Sequence, residues 1–428
     1  MLTALITDQA VIFGILMLVL AGLFHTAHSP RPFWKTFYKY VPVLLLAYFL
    51  PAILVSIGLI DGHDNDLYFV ASRYLLPASL ILLTLSIDFK GIVSLGPKAL
   101  IMFLTATLGI VIGGPIALWL VSLMQPDVLL DLGENSIWRG LSTVAGSWIG
   151  GGANQAAMKE IFLAADDLFA AMIVVDVVVA NIWMAFLLYG AGMSDRLDKK
   201  LKADNSAIET LKKSVSDYQS SIARVSTFKD LMILSGMVFG LVGLSHFLSG
   251  LIAPNIASTV EQALAIDPES GYRYITSLGS GFFWLIVFAT AFGLILSFTR
   301  ARTYEGAGAS KVGSVFIYIL VATIGMHMDL AEMAANWDEY KYLILIGLIW
   351  MLVHVIILLA VAKIIRAPFF FVAVGSQANV GGAASAPVVA SAFSPSLAPV
   401  GVLLAVLGYA LGTFAAIVCA TAMQAVSL

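Results

Sequence analysis

The amino-acid sequence predicts an all-α polytopic membrane protein built as two inverted repeats, each of five crossing helices plus one glycine-broken segment. Three observations lead there. Hydrophobic residues make up 60% of the 428-residue chain and charged residues only 11%, against about 25% charged in soluble domains. The charges cluster, leaving uncharged apolar runs long enough to cross a hydrocarbon core of about 30 Å. Two of those runs are interrupted by glycine tracts at the same rank in each half of the chain.

Twelve apolar segments follow one another. In the first half they occupy 6–24, 41–60, 67–87, 100–124, 141–158 and 168–188, and in the second 231–253, 282–298, 312–328, 343–361, 369–393 and 398–420. The first is preceded by no basic stretch, so it reads as a helix and not as a secretory signal. The fifth carries G-S-W-I-G-G-G-A-N-Q from Gly146 to Gln155, and the eleventh carries G-S-Q-A-N-V-G-G-A-A-S-A-P from Gly375 to Pro387. The third and ninth segments also echo each other, ending in I-D-F at Phe89 and M-D-L at Leu330. Matching features at matching ranks divide the chain into a first membrane repeat (1–190), a linker (191–228) and a second repeat (229–428).

Lysine and arginine placement orients the repeats, because cytoplasmic loops are the basic ones. Arg31, Lys35 and Lys39 follow the first segment, and Lys90 and Lys98 the third, whereas Asp61, Asp64 and Asp66 follow the second and Asp127, Asp131 and Glu134 the fourth. In the second half the order reverses: Glu261, Asp267 and Glu269 come first, with one arginine, Arg273, then Arg300, Arg302 and Lys311. Six full crossings per half would leave the halves parallel. If the fifth and eleventh segments enter and leave on one side, the signs agree and the linker is cytoplasmic. The rival arrangement has both broken segments crossing fully, with the linker external or hiding another crossing.

Within the linker, Ser206 and Glu209 form a capping box. Ile208, Leu211, Val215, Tyr218, Ile222 and Val225 follow at helical spacing. The pattern fits a surface helix lying on the bilayer or the protein body, or a short homodimer contact.

Irregular backbone in hydrocarbon is costly, because each unpaired N–H or C=O there costs several kcal/mol. Broken helices are therefore kept where protein or water covers them, and their free ends can bind ions and polar solutes at mid-membrane depth. The residues at or beside the breaks are Ser147, Gly151, Gly152, Asn154 and Gln155 in the fifth segment, and Ser376, Gln377, Asn379, Gly381 and Gly382 in the eleventh. We read these as the substrate-binding set; small residues also serve close helix packing. Asp176, in the sixth segment, is a carboxylate where insertion costs roughly 2.5–3.5 kcal/mol, which suits a coupling-ion ligand or proton carrier with Asn181 nearby. Asp88 and Asp329 fit membrane edges, His354 a hydrogen-bonded packing residue, and Arg73 a site near the outer surface.

Other classes find little support. The sequence has no H-E-x-x-H, G-x-S-x-G or P-loop motif, so no enzyme activity is expected. Six histidines and the single Cys419 give no metal-site spacing and no internal disulfide, and no basic block suits nucleic acid. No cofactor is expected beyond Na⁺ or H⁺ as a coupling ion.

These motifs carry a resemblance. The chain resembles, over nearly its full length, the YjcL-like family of bacterial multi-pass membrane proteins. The similarity rests on the glycine tracts from Gly146 and Ser376, on the segment around Asp176, and on V-L-L-A-V-L-G-Y-A-L-G-T from Val402 to Thr413. Where the family pattern places an asparagine straight after the aspartate, this chain has Val177. The resemblance implies an organisation similar to ion-coupled carriers of the bacterial inner membrane and names no substrate. The expected function is an ion-coupled secondary transporter for a small polar or anionic metabolite: a small peptide, an amino acid or a carboxylate. A passive channel or facilitator, and a membrane scaffold or sensor acting through the linker helix, are the alternatives.

Overall fold

The computed structural model describes residues 4–427 apart from 42, 63–65, 86, 88–92, 94, 131, 204–224, 268–271, 273–277, 328–336 and 395–396. The linker capping box at Ser206, nearly all of its apolar stripe, Asp88 and Asp329 lie outside the described residues. What is described is helical, with one isolated bridge between Ile6 and Ile60.

The first half comprises α1 (Gln9–Ala27), α2 (Pro32–Tyr40), α3 (Val43–Ser56), α4 (Leu67–Leu85), α5 (Pro97–Ser122), α6 (Ile137–Phe162) and α7 (Asp166–Ala191). After α8 (Ser194–Leu201) come α9 (Phe228–Ile266), α10 (Gly281–Ser297), α11 (Ala309–Met326), α12 (Trp337–Ile365), α13 (Phe369–Val380), α14 (Gly382–Phe393) and α15 (Ala398–Ser427). Among the described residues, eight helices are long and apolar enough to cross a membrane: α1, α4, α5, α7, α9, α11, α12 and α15. α10 is a shorter apolar helix, as is residues 46–56 of α3.

Local chemistry sets several of these boundaries. Asp8 caps α1 by accepting from the Ala10 and Val11 amides. Thr227 and Asp230 form a reciprocal capping box that starts α9. The apolar run predicts an end to that helix near residue 253, but α9 continues through Pro254 to Ile266. The loop expected after the first segment holds the short helix α2, with Pro32 at its first turn and exposed Arg31 and Lys35. Tyr38 on α2 shares a 2.6 Å hydrogen bond with Thr26 on α1.

α4 contains a π-turn over Ala71–Leu75. Pro77 cannot donate to the carbonyl four residues earlier, that of Arg73. His246 on α9 takes the vacant place, its Nε2 donating to the Arg73 oxygen at 2.9 Å.

Both glycine-broken segments fold back on themselves. A straight 26-residue helix would place its ends about 39 Å apart. In α6 the ends instead touch: Arg139 Nη1 donates to the Phe162 oxygen at 2.5 Å, and the Trp138 and Phe162 rings meet at 5.7 Å. The reversal is at Gly151, with φ 73° and ψ −173°, a conformation open essentially to glycine alone. α13 and α14 form the second hairpin around Gly381 and Gly382, the latter at φ 56°. Its base is closed by Phe393 against Phe369 and Phe370, at 6.2 and 5.3 Å between ring centres.

The hairpins enter from opposite ends of α5. The base of α6 lies beyond the C-terminus of α5, where the Ala165 amide donates to the Glu134 oxygen. The second hairpin starts near the N-terminus of α5, where Lys98 donates to the Arg366 oxygen at 3.4 Å and the Phe369 amide donates to Asp198 at 2.7 Å.

Packing sorts the helices into two bundles that cut across the halves of the sequence. α1, α3 and α4 pack with α9, α10 and α11, whereas α5, α6 and α7 pack with α12, the second hairpin and α15. The first three segments of each half thus share one bundle and the last three the other. The bundles meet more thinly, chiefly where α4 and α10 lie against α6 and α15. Trp148, Trp350, Phe103 and Phe371 fill the interior of the second bundle.

Candidate functional site

Asp176 sits on α7 with 7% of its surface exposed. Three donors converge on its carboxylate, all from the first hairpin. Ser147 Oγ donates to Oδ2 at 2.6 Å, Trp148 Nε1 to Oδ1 at 2.7 Å, and Gln155 Nε2 to Oδ2 at 3.2 Å. Ser147 and Trp148 precede the glycine break and Gln155 follows it, so one carboxylate pins both arms. Charge-assisted bonds of this kind are roughly twice as strong as neutral ones.

Asn181 is not brought to Asp176. Five residues along an α-helix turn the side chain by about 140° around the axis. Its Nδ2 donates instead to the Val177 oxygen at 2.7 Å.

Asn154 and Asn379 act as clamps. Asn154 Nδ2 donates to its own helix at Gly150 (3.0 Å) and across to the Tyr409 oxygen on α15 (3.3 Å), and its Oδ1 accepts from Thr413 at 2.5 Å. Asn379 repeats the pattern: Nδ2 donates to Gly375 (3.0 Å) and to the Phe103 oxygen on α5 (3.2 Å), and Oδ1 accepts from Thr107 at 2.8 Å. In both, the donor threonine stands four residues after the accepting carbonyl. Each clamp joins a broken segment to an unbroken helix of the other half. Both asparagines are fully buried, with their amides committed to the protein.

The serine of each G-S pair meets a polar side chain on a neighbouring helix. Ser147 bonds Asp176. Ser376 shares a 2.8 Å hydrogen bond with His354 Nε2 on α12 and accepts from Trp183 Nε1 on α7, also at 2.8 Å. His354 is thus hydrogen-bonded in the packed interior, as expected of it. Gln377, buried beside the second tip, donates to Ser385 at 2.6 Å, and its Oε1 is a buried acceptor with no partner among the described residues.

Close approach explains several glycines. A methyl group on Gly150 would lie 2.8 Å from Gly412 Cα, and one on Gly408 would lie 2.7 Å from the Ile149 oxygen. Gly151 and Gly152 are partly exposed at the first tip, where the Tyr409 ring is the nearest neighbour of Gly151.

A second polar cluster lies at the base of the first hairpin. Glu160 on α6 pairs with Arg73 on α4 at 3.4 Å and accepts a hydrogen bond from Tyr68. Lys159 pairs with Asp166 at 2.8 Å and donates to Tyr68 at 3.2 Å. Lys159 and Glu160 stand just past the apolar run 141–158 and are not among the residues expected at the site; their signal in the sequence is an adjacent charge pair closing a glycine-broken run. Elsewhere, an apolar groove of about 490 Å³ between α1 and α11 includes none of the hairpin residues in its lining.

No group of three or more potential metal ligands occurs among the described residues. The chain is 24% identical over 365 residues to an uncharacterized membrane protein, YjcL, of Bacillus subtilis (strain 168), a match covering 82% of each chain. A family model described as a protein of unknown function, DUF819, matches residues 14–426. With both hairpins, both G-S anchors and Asp176 inside that match, the chain belongs to the DUF819 family.

Proposed function

We propose that this protein is an ion-coupled secondary transporter for a small polar or anionic metabolite, working by alternating access between the two bundles. The observation that supports this best is the pair of opposed hairpins, whose glycine tips interrupt helix inside one bundle. Backbone groups freed at such tips are the usual substrate and ion ligands of transporters with discontinuous helices. In this reading Gly151, Gly152, Gly381, Gly382 and Gln377 face the substrate. Ser147, Gln155 and Ser376 hold the hairpins in register, and Asn154 and Asn379 fix their depth. Asp176 links occupancy by Na⁺ or H⁺ to the position of the first hairpin.

The matching clamps and the equal-rank membership of the bundles favour two inverted repeats, with five crossings and one re-entrant hairpin each. The basic loops then face the cytoplasm of a bacterial inner membrane, with residues 191–228 as a cytoplasmic linker. Neither a cofactor nor an enzymatic step enters the proposal, and a homodimer is compatible with it.

Purified protein screened by thermal shift against small peptides, amino acids and organic acids, with Na⁺ and pH varied, tests the reading. The expected result is a stabilising solute whose effect depends on one of the two ions. A solute that stabilises without ion dependence, and crosses liposomes without accumulating, would mark a passive facilitator.

A further inference from the structure

Arg73 and Glu160 belong to different bundles. Arg73 rides on the π-turn of α4, and its guanidinium lies 4.3 Å from the centre of the Phe282 ring on α10, within its own bundle. Its reach to Glu160 crosses to the hairpin arm of the second bundle at 3.4 Å. Tyr68, also on α4, bonds both Glu160 and Lys159 across the same gap, and its ring stands 5.0 Å from that of His327 at the end of α11. Lys159 is meanwhile held on its own side by Asp166. α4 thus supplies one cation and one phenol, and the base of the hairpin supplies one anion and one ammonium.

Beside the cluster lie Asp166, which pairs with Lys159, and the Glu134 backbone, whose oxygen accepts from the Ala165 amide. The side chains of Lys159 and Glu160 are 9% and 11% exposed, so bulk water has little access to their heads. If the bundles move apart here, Arg73, Glu160 and Tyr68 must exchange these bonds for water. The 3.2 Å contact of Thr290 with Thr413 is another polar side-chain link between the bundles.

We propose that Arg73 and Glu160, with Tyr68, form a gate that closes the two bundles on the face where the first hairpin opens. The inference rests on the alternating-access reading but is tested without any substrate. The π-turn has a role in it. It re-aims α4 by adding a residue to one turn, and π-turns recur at functional positions. Here the turn displays the gate arginine, while Pro77 and His246 fix its backbone.

The test is labelling of a cysteine placed at Thr290, which is fully buried between the bundles. The background is Cys419→Ser, and an impermeant thiol reagent is added to either side of sealed proteoliposomes. Arg73→Met and Glu160→Gln are each expected to raise the labelling rate from one side by about three- to tenfold, the scale of a partly buried ion pair. Arg73→Lys should restore slow labelling, and the Met/Gln double variant should label no faster than either single, because both remove one interaction. Unchanged rates in the single variants, or rates that multiply in the double, would overturn the gate. If the gate behaves as expected but no solute is ever accumulated, the transport reading fails and the gate stands.

Discussion

Thr413 donates its hydroxyl to the buried amide oxygen of Asn154 at 2.5 Å, joining the first hairpin to a helix 259 positions further along the chain. Thr107 does the same for Asn379 at 2.8 Å. Replacing either threonine by valine keeps the shape and leaves a buried acceptor unpaired, a change worth about 1–3 kcal/mol. Thr413→Val and Thr107→Val should therefore lower the melting temperature in detergent by comparable amounts. A drop in only one would show that the clamps are not equivalent.

Gly151 stands at φ 73°, where any side chain is strained. Gly151→Ala should cost about 1–3 kcal/mol for the backbone alone. Gly14 and Gly22 on α1 have nothing within 4 Å of an added methyl group, and alanine there should be neutral or gain up to about 1 kcal/mol in helix propensity. Thermal unfolding of the three variants side by side separates a turn requirement from mere glycine content.

Glu305 offers a pH test outside the membrane-spanning helices. It lies in the short turn between α10 and α11, accepting from the Ser310 hydroxyl at 2.6 Å and its amide at 3.0 Å. Burial raises its pKa above the ordinary value of 4.5, the Ser310 bonds and Lys311 opposing it in part. A raised carboxyl pKa means that the folded state holds the proton more tightly than the unfolded one. Stability from this group is full below pH 4.5 and falls as pH rises towards the folded pKa. Glu305→Gln should remove that slope, so its melting temperature relative to wild type should improve between acidic and neutral pH. An unchanged difference across that range would contradict the assignment.

How much of this was legible in the sequence depended on the range of each interaction. Gly150-Gly151-Gly152 and Gly381-Gly382 announced themselves because helix failure is local. Loop charges pointed to an odd number of crossings per half, and each broken segment folds into a hairpin. The part played by Asn154 was hidden, because its partners Tyr409 and Thr413 are brought close only by the tertiary fold. Asp176 was legible as a costly carboxylate, but its partners were not. Asn181 was the near neighbour in sequence, whereas Ser147, Trp148 and Gln155 reach it across a hairpin. Lys159 and Glu160 fell outside because a hydropathy window stops at the first charge. The division into bundles had no local signature: α4 meets α10 and α11 through apolar faces that resemble lipid-facing ones.

Uptake into proteoliposomes under an imposed Na⁺ or proton gradient, using the solute found by thermal shift, tests the central claim most directly. Wild type and Asp176→Asn are compared. The amide has the shape of the carboxylate but carries no charge for the donors of Ser147, Trp148 and Gln155. The account predicts that wild type accumulates solute above its equilibrium level with one gradient, and that Asp176→Asn only equilibrates it. Accumulation by Asp176→Asn equal to wild type, or none by wild type under either gradient, would contradict it.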